Sequence, residues 1–333
     1  MLVALAEEGV PDAVPAPVAA EEGDEVVVAA PTGVPPRVVP ERWTPPPEVV
    51  DAVRAARARP LPERIDAASR AFLGLPYLND AAGEMAGPDP DPPARYDAFD
   101  CLTFVEEVLA LAIAPDPLYA PAIRDALRYR GAASYETRRH FMEAQWIPDA
   151  IANGLLVDVT DRVGRARTIT KEVTPDTWRH WRRRALFKLP DALLPLGAWS
   201  LRFLDLAEAA EAAARIPPGA VIVTLRRDKG APIVTTHISM VVPGSGTERV
   251  WMRHATRMGT RKVRDDRLPW YATHLRDYVN WPALGVTVLM PREQGPRVSA
   301  LASPALPPPF PDAEGELPVF DARPIPPFPA PPP

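Results

Sequence analysis

Proline is unevenly placed along this chain, and its placement limits where a packed core can form. Of the 45 prolines, 10 lie in residues 1–50 and 14 in residues 296–333. Proline has no backbone donor and a fixed φ, so segments this rich in it read as extended tails. That divides the chain into a disordered Pro-rich tail over 1–47, a folded domain over 48–295 and a second disordered Pro-rich tail over 296–333. The folded stretch has room for one large domain with a substantial core or for two small ones. The single cysteine excludes intramolecular disulfides and multi-cysteine metal or iron–sulfur sites. A net charge of −5 gives no general attraction to nucleic acid. No window approaches 18 consecutive apolar residues, so no membrane span is expected. The chain begins MLVALAEEG without a basic, apolar signal segment, yet Ala4-Leu5-Ala6 fits a small-x-small cleavage pattern. Two readings stay open: a signal peptide that starts upstream, or a short apolar start to the tail.

Periodicity orders the middle of the chain. Val50 and Val53, then Ile65, Ala68 and Phe72, fall at helical spacing, which predicts two short helices before Gly74. A Gly-, Pro- and Asp-rich loop (83–97) leads into DCLTFVEEVLALAIA. Phe104, Val105, Val108, Leu109, Leu111 and Ala112 make this the clearest helix of the chain. Further helices are expected over 119–130 and 134–153, the latter stopping at Asn153-Gly154. Residues 155–215 are ambiguous apart from an alanine-rich helix over 203–215. After Pro217-Pro218-Gly219 the pattern turns to short β-branched strands at 220–226, 236–242, 249–256 and 285–291. Helices first and an antiparallel meander second predict an α+β fold.

Cys101 stands where the loop becomes the strongest helix, directly after Asp100. Helix-start amides and the positive end of the dipole lower a thiol pKa there and can hold a developing oxyanion. The alternative is an inert buried cysteine. A nucleophilic thiol needs a base within hydrogen-bond reach and a group that orients the base. His237 opens one predicted strand and His254 ends its neighbour, where backbone placement is rigid. His237, Ser239 and Val241 share one strand face, opposite Ile238, Met240 and Val242. Zinc on Cys101, His237 and His254 is a weaker reading, since no close ligand pair exists. A serine hydrolase is weaker still, because no G-x-S-x-G elbow occurs. The stretch Trp178 to Arg184 alternates cations with aromatics; it suits sugar, an anionic wall polymer or nucleic acid, or is a part-solvated face with its tryptophans packed inward.

The order of FLGLPY (72–77), FDCLTFVEEVLALA (99–112), PPGAVIV (217–223), THISMVV (236–242) and WMRHAT (251–256) resembles the NlpC-type superfamily of cell-wall cysteine amidases and peptidases. It is most similar to the N-acetylmuramoyl-L-alanine amidase-like branch, formerly a domain of unknown function, over roughly 60–291. The resemblance implies a papain-like fold, with a helical half carrying the nucleophile packed on an antiparallel sheet. It implies Cys101 as nucleophile, His237 as base and His254 as the residue that orients it. Substrate contacts are implied at Tyr77, Asp100, Thr103, Arg139 and His140, the last two either lining the groove or fixing their helix. Two positions depart from the superfamily pattern: Leu102 replaces a small hydroxyl residue, and Ile238 replaces the glycine after the base. The implied substrate is a peptidoglycan fragment or muropeptide, cleaved between N-acetylmuramic acid and L-alanine. Alternatives are a D-glutamyl–diamino-acid endopeptidase and a non-catalytic wall-binding module. No cofactor, metal or nucleic acid is expected. An extracytoplasmic location is expected, with a cytoplasmic one left open.

Overall fold

The computed structural model describes residues 25–28, 37–40, 45–227, 232–276 and 282–293. Within the N-terminal tail, β1 (Glu25–Val28) and β2 (Arg37–Pro40) pair as a short antiparallel ribbon, where the proline content alone suggested an extended chain. The rest of that tail up to residue 44, and the tail over 296–333, lie outside the described residues.

The helical half comes first. Two helices, α1 (Pro47–Ala56) and α2 (Leu61–Arg70), each carry a proline in the first turn, where its missing donor costs nothing. A long irregular segment leads to α3 (Cys101–Ile113), then α4 (Ala120–Arg128). The expected helix over 134–153 is shorter than its periodicity suggests. Ser134 and Thr137 bond back to nearby backbone, with Thr137 Oγ1 donating to the Ala132 carbonyl at 2.6 Å, which competes with helix formation. Helical geometry begins only at a π-helical turn (Met142–Trp146) that runs into α5 (Ile147–Ala152).

The sheet half follows. It starts with β3 (Leu156–Asp158), α6 (Thr160–Val163), β4 (Arg167–Val173) and α7 (Pro175–His180). Then come β5 (Gly197–Asp205), α8 (Leu206–Ala212), β6 (Val221–Arg226) and β7 (Thr235–Pro243). The chain closes with β8 (Val250–Thr256), β9 (Lys262–Asp266), α9 (Leu268–Arg276) and β10 (Ala283–Pro291). Seven strands form one antiparallel path, β4-β5-β10-β6-β7-β8-β9, and β3 joins it on β10. Gly285 lies where β10 crosses β5; a Cβ there would stand 1.9 Å from the Leu204 carbonyl. The α+β expectation is thus met, with four strands (β3, β4, β5 and β9) beyond those anticipated.

Alternation divides the buried residues between the two sheet faces. Val223, Ile238 and Met240 pack with α2 and α3 in one core. Ile222, Val241, Met252 and Val286 pack with α8 and α9 in the other. Helix α3 is buried all round except at Thr103, not on one face only. Its two carboxylates are compensated from α4: Glu106 meets Arg128 at 2.8 Å and Glu107 meets Arg124 at 3.5 Å. Trp146 Nε1 also donates to Glu106 at 3.0 Å. These pairs fix α3, and hence its first residue, against the helical half. Among the described residues no helix is long and apolar enough to cross a membrane.

Candidate active site

Asp100 starts α3. Its backbone is extended (φ −89°, ψ 179°), and its Oδ1 accepts from the amides of Leu102 at 2.9 Å and Thr103 at 2.7 Å. Thr103 Oγ1 in turn accepts from the Asp100 amide at 3.0 Å, closing a capping box. Two of the helix-start amides expected to meet an oxyanion are therefore engaged by the cap, and the Cys101 amide is the one it leaves.

Cys101 is 2% exposed and forms no disulfide. The backbone amides of Ile238, Cys101 and Leu102 bear on its sulfur. The β7–β8 ladder starts only at Met240 opposite Arg253, and ahead of that point the Ile238 amide turns to the thiol. Burial pushes the thiol up to about 12, with the Asp100 carboxylate adding to it and the three amides opposing. The lowered pKa that a helix start suggested is therefore reversed by desolvation.

His237, third residue of β7, bonds through Nε2 to His254 Nδ1 at 2.7 Å. His254 Nε2 meets Asp266 Oδ2 at 3.0 Å, and the same oxygen accepts from Arg264 Nη2 at 2.7 Å. The carboxylate fixes the tautomers in series. Asp266 can only accept, so His254 carries its proton on Nε2 and presents a lone pair at Nδ1. His237 must then donate from Nε2, which leaves the lone pair of its Nδ1 available as a base. Burial lowers His237 well below its ordinary pKa, and the neighbouring His254 lowers it further. Burial also lowers His254, outweighing the support of Asp266. Burial works against the Asp266 carboxylate, yet hydrogen bonds from His254 and Arg264 hold it below the usual range. Tyr271 from α9 flanks both imidazoles, edge-on to His254 at 90° and 5.9 Å, with its hydroxyl on Thr224 Oγ1 at 3.1 Å.

The remaining expected residues divide by location. Tyr77 is buried at 8% exposure, and its backbone amide is held by the Arg261 carbonyl. Its hydroxyl pKa is raised by burial first and then by Cys101 and Asp100, so it stays protonated near the thiol. Leu102 and Thr103 line a small cavity beside the start of α3 with Asp80, Asp100, Arg138 and Arg139. Arg139 pairs with Asp149 at 2.7 Å and donates to the Ala126 and Leu127 carbonyls at 3.0 Å. His140 is held elsewhere, 4.5 Å from Tyr135 in ring centroids, with Nε2 on the Tyr135 carbonyl at 2.6 Å. Trp178 and Trp181 are buried in that aromatic cluster beside Phe141 and Phe187, while Arg179, His180 and Arg182 are exposed. The inward-packed reading of the stretch thus describes its tryptophans. Sequence reasoning missed Asp266, Arg264 and Tyr271. Strand β9 was not anticipated, because its composition is polar and carries no alternation signal; its Asp265-Asp266 pair is the feature from which an anion for the imidazoles could have been sought.

Residues 67–276 match the model of the AmiA-like family, described as N-acetylmuramoyl-L-alanine amidase-like. The chain belongs to this family. Solved structures of the same fold include a Legionella pneumophila protein of the DUF1460 family, 22% identical, with a TM-score of 0.58 over 73% of this chain and 93% of that one. An N-acetylmuramoyl-L-alanine amidase from Bacteroides uniformis is also 22% identical, with a TM-score of 0.56 over 70% and 99% of the two chains. No curated protein matches the chain in sequence. Membership in the amidase-like family makes a hydrolase acting on peptidoglycan the activity class to which the site geometry has to answer.

Proposed function

We propose that this protein is a papain-like, NlpC-type cysteine amidase that cleaves the amide between N-acetylmuramic acid and L-alanine in muropeptides. The observation that carries the reading is the chain His237–His254–Asp266 across β7, β8 and β9, together with the Ile238 amide, next to His237 on β7, that bears on the Cys101 sulfur. A buried inert cysteine has no need of a tautomer-fixed imidazole pair beside it.

Burial favours the neutral thiol and the neutral imidazole, so the resting pair is uncharged. Attack and proton transfer are then coupled: Cys101 Sγ bonds to the lactyl carbonyl carbon as its proton passes to His237 Nδ1. The oxyanion takes hydrogen bonds from the Cys101 amide and the Tyr77 hydroxyl; no hydrogen bond engages that hydroxyl among the described residues. The imidazolium is stabilised through His254 by the Asp266 charge. It returns the proton to the leaving L-alanyl amine as the C–N bond breaks. Water, deprotonated by His237, then hydrolyses the muramyl thioester and frees Cys101.

Mass spectrometry of products from a defined disaccharide-peptide tests this. The expected products are the sugar with a free lactyl carboxylate and a peptide beginning at L-alanine. Cleavage at the D-glutamyl–diamino-acid bond would assign the endopeptidase activity instead. Hydrolysis by Cys101→Ala at the wild-type rate would refute the cysteine mechanism. The same reading expects an extracytoplasmic location, tested by cell fractionation.

A further inference from the structure

Glu143 lies on the π-helical turn at 1% exposure, and among the described residues no ion pair compensates it. A buried carboxylate without a cation is unfavourable unless hydrogen bonds hold it in one place. Besides its own backbone amide, the donors on its carboxylate among the described residues come from Val234 and Thr235. Val234 donates its amide to Oε1, and Thr235 Oγ1 donates to Oε2 at 2.7 Å. The Thr235 amide adds to these contacts. Val234 and Thr235 are the residues at which the chain enters β7.

The register of β7 against β6 shifts just beyond this point. Leu225 is opposite Thr235, and Thr224 is opposite His237, so Thr236 is the extra residue of a β-bulge. A bulge turns the following side chain to a new direction and weakens the local ladder. In an unbulged strand, Thr235 and His237 would share a face; with the bulge, they oppose consecutive residues of β6. The direction of His237 is therefore fixed downstream by the ladder with β6. Upstream it is fixed by whatever holds Val234 and Thr235. Arg226 donates its amide to the Val234 carbonyl at 2.8 Å, Thr235 pairs with Leu225, and Glu143 adds its contacts to the Val234 amide and the Thr235 hydroxyl.

We propose that Glu143 is a positioning residue, which pins the upstream side of the Thr236 bulge and so sets the orientation in which His237 meets His254. This rests on the reading of His237 as the base. Glu143 touches no reacting atom in that reading; it acts through the strand. Burial raises the Glu143 pKa, and the hydrogen bonds it accepts from the Thr235 side chain, its own amide and the Val234 and Thr235 amides oppose that rise; the clamp is those converging bonds to a buried acceptor.

The chain has five histidines, so nitrogen-15 spectra of the histidine-labelled full chain resolve each imidazole and its tautomer. In the wild type His237 is expected as the Nε2–H tautomer. In Glu143→Ala its ring nitrogens should shift and lose that single tautomer, while the His140 signals stay in place. With muropeptide as substrate, kcat should fall up to about 100-fold, the scale of a misplacement of about 1 Å, with KM changed far less. Glu143→Gln keeps an acceptor for the Val234 amide and should restore most of both readouts. If Glu143→Ala does not fold, Thr235→Val is read by the same criterion, with a smaller shift expected. His237 signals that superpose on the wild type in the folded variant overturn the proposal. A wild type that hydrolyses no muropeptide would remove the amidase reading alone, because the imidazole spectra judge Glu143 without substrate.

Discussion

Replacing Asp266 by asparagine keeps an acceptor for His254 and Arg264 but removes the negative charge at the end of the imidazole chain. All three contacts converge on Oδ2, from His254 at 3.0 Å and from Arg264 at 3.0 and 2.7 Å, so the amide oxygen takes that position and the tautomers survive. What is lost is the difference between a neutral and a charge-assisted hydrogen bond to an imidazole pair that becomes cationic during proton transfer. Hydrogen bonds to charged groups contribute roughly 1.5–3 kcal/mol, and each 1.36 kcal/mol is about tenfold in rate. Asp266→Asn should therefore lower kcat/KM by roughly 10- to 100-fold in a muropeptide assay. The pH profile supplies the sign. Without the anion an imidazolium is harder to form, so the base titrates at lower pH and the acid limb of kcat/KM moves down. An unchanged kcat/KM with an unmoved acid limb would refute the claim that the Asp266 charge stabilises an imidazolium on the His237–His254 pair during proton transfer.

Alkylation of Cys101 by a small neutral electrophile should accelerate with pH through and beyond neutrality, since burial holds the thiol up at about 12; a plateau already present at pH 5 would indicate a preformed ion pair. Arg128→Met should cost about 3–5 kcal/mol of stability, because it strands the buried Glu106 charge. Adding Glu106→Gln should recover most of that loss in urea unfolding, and a double variant no more stable than the single one would count against the pairing. Burial lowers His140 to about 3, so its contribution is present above its unfolded pKa near 6.5 and is lost as pH falls from there towards 3. Comparing urea unfolding at pH 7 and pH 5, His140→Phe should lose about 2 kcal/mol less than the wild type over that interval. Equal losses would show that His140 does not titrate as its burial requires.

The parts of the fold that were legible in the sequence are those whose burial is recorded in one segment. Helix α3 announces itself because nearly every position is apolar, and β6, β7, β8 and β10 do so through runs of β-branched residues. The hairpin of β4 and β5 was harder. Trp199, Leu201 and Phe203 alternate with exposed positions, a strand signal, but the alanine-rich run that follows draws a helical reading back over residue 203. In the structure Asp205 separates the two, accepting from the Glu208 amide at 2.9 Å as a helix cap. The stretch over 134–141 failed for the opposite reason. Its periodicity is helical, yet Ser134 and Thr137 offer local hydrogen bonds that a helix cannot match.

The site was legible only as far as chemistry is local. Cys101 follows an aspartate at a helix start, and His237 and His254 lie on strands, so each carries its own signal. Asp266 carries none, because its role exists only through the pairing of β8 with β9, which sets His254 opposite Arg264. Glu106 and Glu107 show how such partners can be sought. Two carboxylates inside an otherwise apolar helix demand buried cations, and the next helix supplies Arg124 and Arg128 one turn apart. The same reasoning applied to the His237–His254 pair, which becomes cationic as it takes up a proton, asks for an anion. The polar edge strand after WMRHAT is where the sequence holds one, in Asp265-Asp266. A charge whose burial would be prohibitive alone is thus a signal for its missing partner, and that inference reaches across the fold where hydrophobic periodicity does not.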